Sequence, residues 1–351
     1  MNPDIFSDYV SIDTLGMLAE IHDLPNQLKT AWSLGTRYDL PEETDFKTII
    51  IAGMGGSAIG ADIVSAYAFN LSKIPIMVLR GYDLPEFVSG KQCLVVCSSH
   101  SGNTEETISI FDQAINRRCT VLTITTGGLL EARAKEQKTV HWKFEHNGQP
   151  RAAVGYSFGL IYCLLSRLSI ISDEKKDIDQ VISTLKKYLD IWDVNISAAG
   201  NLPKRIAGQA IGRISIFFGA EHLEPVARRW KTQLNELAKS IAGFEFLPEA
   251  DHNALAGLDY PEKLVDKFYS VFLNSKYYHP RNNKRIKLTA QEYMVSGICT
   301  DQIILDVESK LVEIWTMVLL GDFVSYYLAI AYRVDPTPIE RLDNFKKAIN
   351  D

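Results

Sequence analysis

The stretch CLVVCSSHSGNTEETISIF, residues 93–111, decides the fold class of this chain. It begins with CLVVC, an apolar run without polar alternation, which is typical of a strand covered on both faces of a parallel sheet. A turn of small polar residues follows the run, and a segment of helix length follows the turn. A strand that leads through a tight turn into a helix is the repeating unit of an α/β fold.

The same rhythm continues on both sides of this stretch. In the first half of the chain, further short apolar runs alternate with helix-length segments: TIIIAG (48–53), PIMVLR (75–80), CTVLTITT (119–126) and TVHWKF (139–144). The rhythm restarts near residue 206, where the predicted strands are RISIFFG (213–219), GFEFLP (243–248), FYSVFL (268–273) and QIILDV (302–307). We therefore predict an α/β chain with parallel sheets, in which one kind of α/β half occurs twice.

The distribution of these segments predicts four parts. Residues 1–45 form a helical N-terminal segment, 46–150 the first α/β domain, 151–205 connecting helices, and 206–351 the second domain with a C-terminal tail. The connecting part begins with a long apolar helix and continues with a charged amphipathic one, a composition that suits an inter-domain connector.

Composition limits the classes of partner. The chain has 351 residues and a formal net charge of −6, so it has no general attraction for nucleic acid or an anionic membrane. No apolar run approaches the ~20 residues of a membrane span, and the N-terminal residues lack the pattern of a secretory signal. The five cysteines include no CxxC pair, which disfavours disulfides and zinc ribbons. We expect a cytoplasmic protein, in which any bound anion needs a local binding site built from backbone amides and one or two cations.

Two strand-to-helix loops could form such an anion-binding site. The first contains Gly55, Gly56 and Ser57, where glycines allow close backbone approach and the helix start, expected near Ser57, offers free amides. The second, SSHSGNT, spans residues 98–104 and carries hydroxyl side chains at the carboxyl end of a parallel strand, where open α/β sheets bind ligands. We also expect Asn103 and Glu106, three residues apart, to form a capping box. Neither loop has a Walker lysine, so a phosphate monoester is favoured over a nucleoside triphosphate.

The first loop also raises a dinucleotide alternative. Gly53, Gly55 and Ala58 match the pattern GxGxx(G/A) loosely. However, the second strand ends in Leu79-Arg80-Gly81 and lacks the acid that binds the ribose in NAD sites. The sequence therefore disfavours NAD and leaves an NADP-linked reductase as an alternative, and we expect no cofactor.

At SSHSGNTEET the sequence resembles the sugar isomerase (SIS) domain family, whose phosphosugar loop reads S-x-S-G-x-T. GMGGSAIGAD, RRWKTQLNELAK, PEADHNALAG and VDPTPIERLDNFK together resemble one branch, the bifunctional phosphoglucose/phosphomannose isomerases. The resemblance implies two SIS domains, each an α/β/α sandwich, and a homodimer with active sites near domain and subunit boundaries. It also implies a hexose 6-phosphate substrate. The aromatic residue usual between the two loop serines is His100 here, and we expect its side chain to point away from the phosphate.

The resemblance assigns roles to individual residues. By motif, the phosphate would be held by Gly55, Gly56, Ser57, Ser99, Ser101 and Thr104. Arg151 would face the reacting carbons, and Glu236 would be the base. His252 would open the sugar ring, either in its own subunit or from the partner, and Lys346 would be the C-terminal active-site lysine.

The chemistry is consistent with these residue types. Aldose–ketose interconversion through a cis-enediol moves one proton between adjacent carbons, so one carboxylate is enough. Glu236 lies off the stripe of its predicted helix that we expect to be buried, which consists of Val226, Trp230, Leu234, Leu237 and Ile241. Arg229, on the Glu236 face, could keep that carboxylate ionised. No metal is expected, since only His141 and His146 lie close together in the sequence.

The predicted function is a metal-independent isomerase of glucose 6-phosphate, and of mannose 6-phosphate, to fructose 6-phosphate. Two further alternatives stay open: a non-catalytic sugar-phosphate-binding SIS regulator, and an aminosugar-phosphate isomerase.

Overall fold

The computed structural model of the chain describes residues 6–172 and 175–350. These residues form two compact units. The first-sheet unit is Asp23–Thr184, and the second-sheet unit combines the residues up to His22 with those from Leu185 onward. This division follows contacts within the chain, whereas the four predicted domain ranges follow sequence rhythm, and those ranges stay a prediction.

The elements alternate along the chain as expected for α/β units. The strands are β1 (Thr48–Ala52), β2 (Ile76–Leu79), β3 (Cys93–Ser99), β4 (Thr120–Thr125), β5 (Val140–Lys143), β6 (Ile214–Ala220), β7 (Ala242–Leu247), β8 (Phe268–Asn274) and β9 (Cys299–Ile304). The helices are α1 (Phe6–Ile12), α2 (Met17–His22), α3 (Leu24–Gly35), α4 (Gly55–Ala68), α5 (Glu105–Asn116), α6 (Gly128–Glu136), α7 (Val154–Arg167), α8 (Lys175–Trp192), α9 (Leu202–Ala210), α10 (Glu224–Leu237), α11 (Pro280–Val295), α12 (Lys310–Ala331) and α13 (Glu340–Asn350).

The first sheet is parallel throughout, in the order β2-β1-β3-β4-β5. The chain crosses from β1 to β2 in one direction along the sheet and from β3 to β4 in the other. Because such crossovers are right-handed, α4 and α5 lie on opposite faces. β3 is buried at every residue, as its unbroken apolar run predicts. The predicted fold class, an α/β chain with parallel sheets, is confirmed.

The second sheet is also parallel, in the order β7-β6-β8-β9. By the same rule, α10 and α11 lie on opposite faces of it. One predicted strand was displaced: β9 is Cys299–Ile304 and not 302–307, because its ladder with β8 already begins at the pair Tyr269 and Cys299. The later apolar residues Leu305 and Val307 are buried beyond that ladder.

One helix corrects the expectation that no segment approaches a membrane span. The 22-residue helix α12 is long and apolar enough by composition, but 94% of its most apolar window is buried inside the protein. It packs against α9 and α10 and is the core helix of the second-sheet unit. Its two fully buried carboxylates, Glu313 and Asp322, both have hydrogen-bond partners, as buried charges require.

The stripe predicted for α10 is correct over four of its five residues. Val226, Trp230, Leu234 and Leu237 are completely buried, whereas Ile241 is 74% exposed. The helix ends at Leu237, so Ile241 no longer follows the helical period.

Candidate active site

The first loop leads from β1 into α4, which begins at Gly55, two residues before the expected start. Gly55 has φ +50°, a left-handed conformation that favours glycine. The residue before it, Met54, is the N-cap and makes no side-chain cap hydrogen bond. The first amides of α4 are therefore not capped by that side chain, and they form the positive end of the helix dipole.

The second loop leads from β3 into α5 and is held together by hydroxyl groups. Ser99 Oγ lies 2.8 Å from Thr104 Oγ1 and accepts a hydrogen bond from the Gly102 amide at 3.1 Å. Ser99 is buried, Thr104 is half-buried and Ser101 is exposed. The N-cap of α5, Thr104, makes no side-chain cap hydrogen bond, so α5 presents a second helix start of the same kind.

The predicted capping box between Asn103 and Glu106 is wrong. Asn103 is not the N-cap of α5, because that position is Thr104. The Asn103 side chain instead accepts a hydrogen bond from the Leu129 amide, at 2.9 Å, in the first turn of α6. Asn103 therefore caps α6 and links the second loop to the start of that helix.

The two loops meet at one edge of the sheet. β1 and β3 are neighbours, so both loops leave from adjacent carboxyl ends. The His100 amide donates to Ser57 Oγ at 3.3 Å and ties one loop to the other. The structure therefore brings together Ser57, Ser99, Ser101 and Thr104, as predicted from the sequence.

Arg151 reaches the first loop through a close backbone contact. It lies in the 3₁₀ turn Pro150–Ala152 and is 5% exposed. A Cβ added to Gly56 would lie 2.4 Å from the Pro150 carbonyl oxygen and 3.3 Å from Arg151 Cα, so only glycine fits there. The Ser157 hydroxyl adds a link that we did not predict, since it donates to the Gly56 carbonyl at 3.1 Å. The only feature of the sequence that indicated this contact was the pair of glycines Gly56 and Gly60, four residues apart.

The His100 side chain packs into an aromatic group. Its ring lies edge-on to Phe144 and His146, and its Nε2 is 2.9 Å from His146 Nδ1. Burial, with a smaller contribution from His146, lowers the pKa of His100 to about 4. The neutral ring therefore joins the loop to the segment that follows β5.

The remaining predicted residues lie in the second-sheet unit. Glu236 is half-buried near the end of α10. Arg229 and Gln233, from the same predicted face, are buried and donate to the Asp322 carboxylate, each at 2.8 Å. Burial raises the pKa of Asp322. The Arg229 charge thus contributes to the contact between α10 and α12, and its predicted effect on Glu236 stays a prediction.

His252 and Lys346 are both exposed. His252 ends the 3₁₀ turn Glu249–His252 that follows β7. The adjacent Asp251 accepts hydrogen bonds from Arg285 at 2.8 Å and Thr289 at 2.7 Å, both on α11. This turn is thus anchored to α11, whereas Glu236 belongs to α10 on the opposite face of the sheet. Lys346 lies on α13.

Among residues 6–172 and 175–350, no three His, Cys, Asp or Glu side chains are grouped so that they could hold a metal ion.

Comparison with known proteins identifies the family. Residues 199–349 match the family model of the bacterial phospho-glucose isomerase C-terminal SIS domain. A bifunctional phosphoglucose/phosphomannose isomerase of Caldicellulosiruptor bescii is 33% identical over 95% of this chain and 98% of its own. The chain belongs to the bifunctional phosphoglucose/phosphomannose isomerase family. The Aquifex aeolicus member is 32% identical over 87% of this chain and 91% of its own.

Solved structures show the same fold at low sequence identity. A hypothetical protein of Thermus thermophilus superimposes with a TM-score of 0.74 at 16% identity, over 96% of this chain and 90% of its own. A glucosamine-6-phosphate deaminase of Thermotoga maritima gives 0.69 at 15% identity, over 92% and 96%. The isomerase family and the SIS-type α/β fold predicted from the sequence are both confirmed.

Proposed function

We propose that this isomerase interconverts glucose 6-phosphate and mannose 6-phosphate with fructose 6-phosphate through a cis-enediol. One observation carries the proposal: two helix starts without side-chain caps, those of α4 and α5, meet at neighbouring strand ends among serine and threonine hydroxyls. A site of this kind can bind a dianionic phosphate through hydrogen bonds from backbone amides and hydroxyl groups. It also agrees with the net charge of −6, because no cluster of cations is needed.

In this proposal the phosphate is held by the backbone at Gly55 and Gly56 and by four hydroxyl side chains: Ser57, Ser99, Ser101 and Thr104. Arg151, fixed beside Gly56, stabilises the negative charge that develops on the enediolate oxygens. Lys346 adds to that stabilisation.

Glu236 is the proposed base. Its carboxylate removes the proton from C2 of the aldose and returns it to C1, so one side chain serves both half-reactions. His252 transfers the protons that open the ring, because an imidazole can act both as a general acid and as a general base.

We propose that the active enzyme is a cytoplasmic homodimer in which His252 comes from the partner subunit. Supporting this, Glu236 and His252 belong to segments on opposite faces of the second sheet, because α10 and α11 are separated by it. Two side chains placed in this way do not converge on one hexose within the same unit. A second copy of the chain supplies the missing histidine without rearranging the sheet.

The chemical test assays fructose 6-phosphate formation from each aldose phosphate, with EDTA present. Glu236→Gln should lower kcat by about 10²–10⁴-fold and abolish exchange of the C2 proton with solvent, while binding of inorganic phosphate persists. Glu292→Gln, at an exposed position on α11, is the matched control. Normal kcat in Glu236→Gln contradicts the assigned base, and phosphate binding without exchange in the wild type favours a non-catalytic regulator.

The shared site has its own test. Glu236→Gln and His252→Ala are each inactive alone, and the two chains are then mixed under conditions that exchange subunits. Random exchange of equal amounts makes half of the dimers mixed. If His252 acts in the partner's site, each mixed dimer has one intact site out of two, so about a quarter of wild-type activity returns. No recovery despite proven exchange shows that His252 acts within its own subunit.

A further inference from the structure

The loop after β6 repeats the backbone of the loop after β1. Met54 has φ −127° and ψ 159°, and Ala220 has φ −138° and ψ 157°. The next residues, Gly55 and Glu221, both have left-handed φ values of 50° and 48°. A side chain is rarely found in this conformation, so Glu221 stands where the first sheet uses glycine.

The Glu221 carboxylate accepts hydrogen bonds from the facing loop. Its Oε1 receives the His279 amide at 2.7 Å and Asn282 Nδ2 at 2.8 Å. His279 is the N-cap of α11, the helix that follows β8 as α5 follows β3. β6 and β8 are neighbours, as β1 and β3 are. A negative oxygen of the protein itself therefore lies between the paired loops, beside the start of the second helix.

A second carboxylate binds two further side-chain donors of these loops. Glu313 Oε2 lies 2.8 Å from His222 Nε2 and accepts a short hydrogen bond from the Ser275 hydroxyl. His222 follows Glu221 directly, and Ser275 follows β8. His222 and Ser275 are both at least 98% buried, and His222 Nδ1 has no hydrogen-bond partner within the described part of the chain.

A tyrosine closes the space between the strand ends. The Tyr278 hydroxyl accepts from the Ala220 amide at 3.1 Å and donates to the Leu273 carbonyl at 2.8 Å. In the second loop pair an amide, two side-chain donors and a helix start are thus all used by side chains of the chain itself.

We propose that the loop pair after β6 and β8 is a second small-oxyanion site, in which the Glu221 carboxylate takes the place of the ligand. The intact chain then binds phosphate in the first loop pair only, and removing the Glu221 side chain lets a phosphate ion enter the second. This inference rests on the proposed phosphate site at Ser57 and Ser99, whose backbone it extends to the second sheet.

The test measures binding of inorganic phosphate by equilibrium dialysis at constant ionic strength. Glu221→Gly suits the left-handed backbone and empties the place of the carboxylate, whereas Glu221→Gln retains an oxygen that accepts the same hydrogen bonds. Glu221→Asn is a second emptying variant, because asparagine tolerates this conformation and is too short to reach α11. We expect one phosphate per chain for the wild type and Glu221→Gln, and two for Glu221→Gly and Glu221→Asn.

Melting temperatures in phosphate, compared with chloride, provide an independent readout of the second site. Phosphate should raise the melting temperature of the two emptied variants by on the order of 2–4 °C more than that of the wild type. Folded Gly and Asn variants that bind no more phosphate than Glu221→Gln overturn the inference. A wild type that binds none contradicts the proposed function instead, and the difference between the Gly and Gln variants still tests the second site.

Discussion

Replacing Gly56 by alanine tests whether the contact between the first loop and Arg151 controls catalysis. The new Cβ would lie 2.4 Å from the Pro150 carbonyl oxygen and 3.1 Å from its carbon. Ordinary contact begins near 3.4 Å, so the turn that carries Arg151 must move away from α4 by about 1 Å. Both contacting atoms belong to the backbone, so no side-chain rotation relieves the clash.

A displacement of this size has two expected effects. Overpacking should lower the free energy of unfolding by about 1–3 kcal/mol. A misplacement of about 1 Å between the proposed phosphate loop and Arg151, which we propose faces the reacting carbons, can cost 10²-fold in rate. We therefore expect kcat/KM of Gly56→Ala to fall by about 10²-fold, mainly through kcat, because the hydroxyls proposed to hold the phosphate keep their positions.

Two alanine variants are matched controls for this prediction. Gly208→Ala adds the same methyl group to α9, where nothing lies within 4 Å, and should be neutral or stabilising. Gly35→Ala places a Cβ 2.8 Å from Cys163 Sγ and should destabilise the protein without moving Arg151. Isomerase rates and urea unfolding are measured for all three. Wild-type kcat/KM in a Gly56→Ala protein that is destabilised like Gly35→Ala refutes the reasoning.

Three further predictions concern stability. Burial lowers the pKa of His100 from 6.5 to about 4, so between these pH values the unfolded chain binds more protons than the folded chain. Urea titrations should therefore show the free energy of unfolding falling from pH 6.5 toward pH 4, and falling less steeply in His100→Phe. Asp322→Ala removes the buried carboxylate partner of Arg229 and should lower the free energy of unfolding by about 3–5 kcal/mol, whereas Asp266→Ala, at an exposed ion pair, should leave the urea midpoint unchanged. Asn103→Ala loses the hydrogen bond to α6 and should cost about 1 kcal/mol, seen as a lower melting temperature; an unchanged value contradicts the capping role.

Local patterns predicted the elements of the site well. The unbroken run CLVVC predicted a strand buried on both faces, and β3 is buried at every residue. The serines and threonine after it are brought together as expected, because parallel neighbouring strands place their carboxyl ends at one edge. These features depend on residues that are close in sequence.

Features that depend on distant residues could not be predicted in this way. Asn103 has the spacing of a capping box, yet its side chain binds the Leu129 amide, because the turn before α6 passes beside it. Arg229 also donates to Asp322, which is 93 residues further along the chain and which the sequence pattern of α10 did not indicate. Nothing in the local sequence specifies which of two polar partners a folded chain brings within reach.

The two loop pairs show how one backbone can serve opposite purposes. The turn from strand to helix needs a left-handed residue in both sheets, and its φ value is nearly the same at Gly55 and Glu221. Glycine at that position adds no side chain that could accept hydrogen bonds from the facing loop. Glutamate tolerates the same conformation only at a cost in free energy, which its hydrogen bonds to the start of α11 offset. We therefore infer that the residue at this one backbone position decides whether the loop pair takes up a ligand or a side chain of the protein itself.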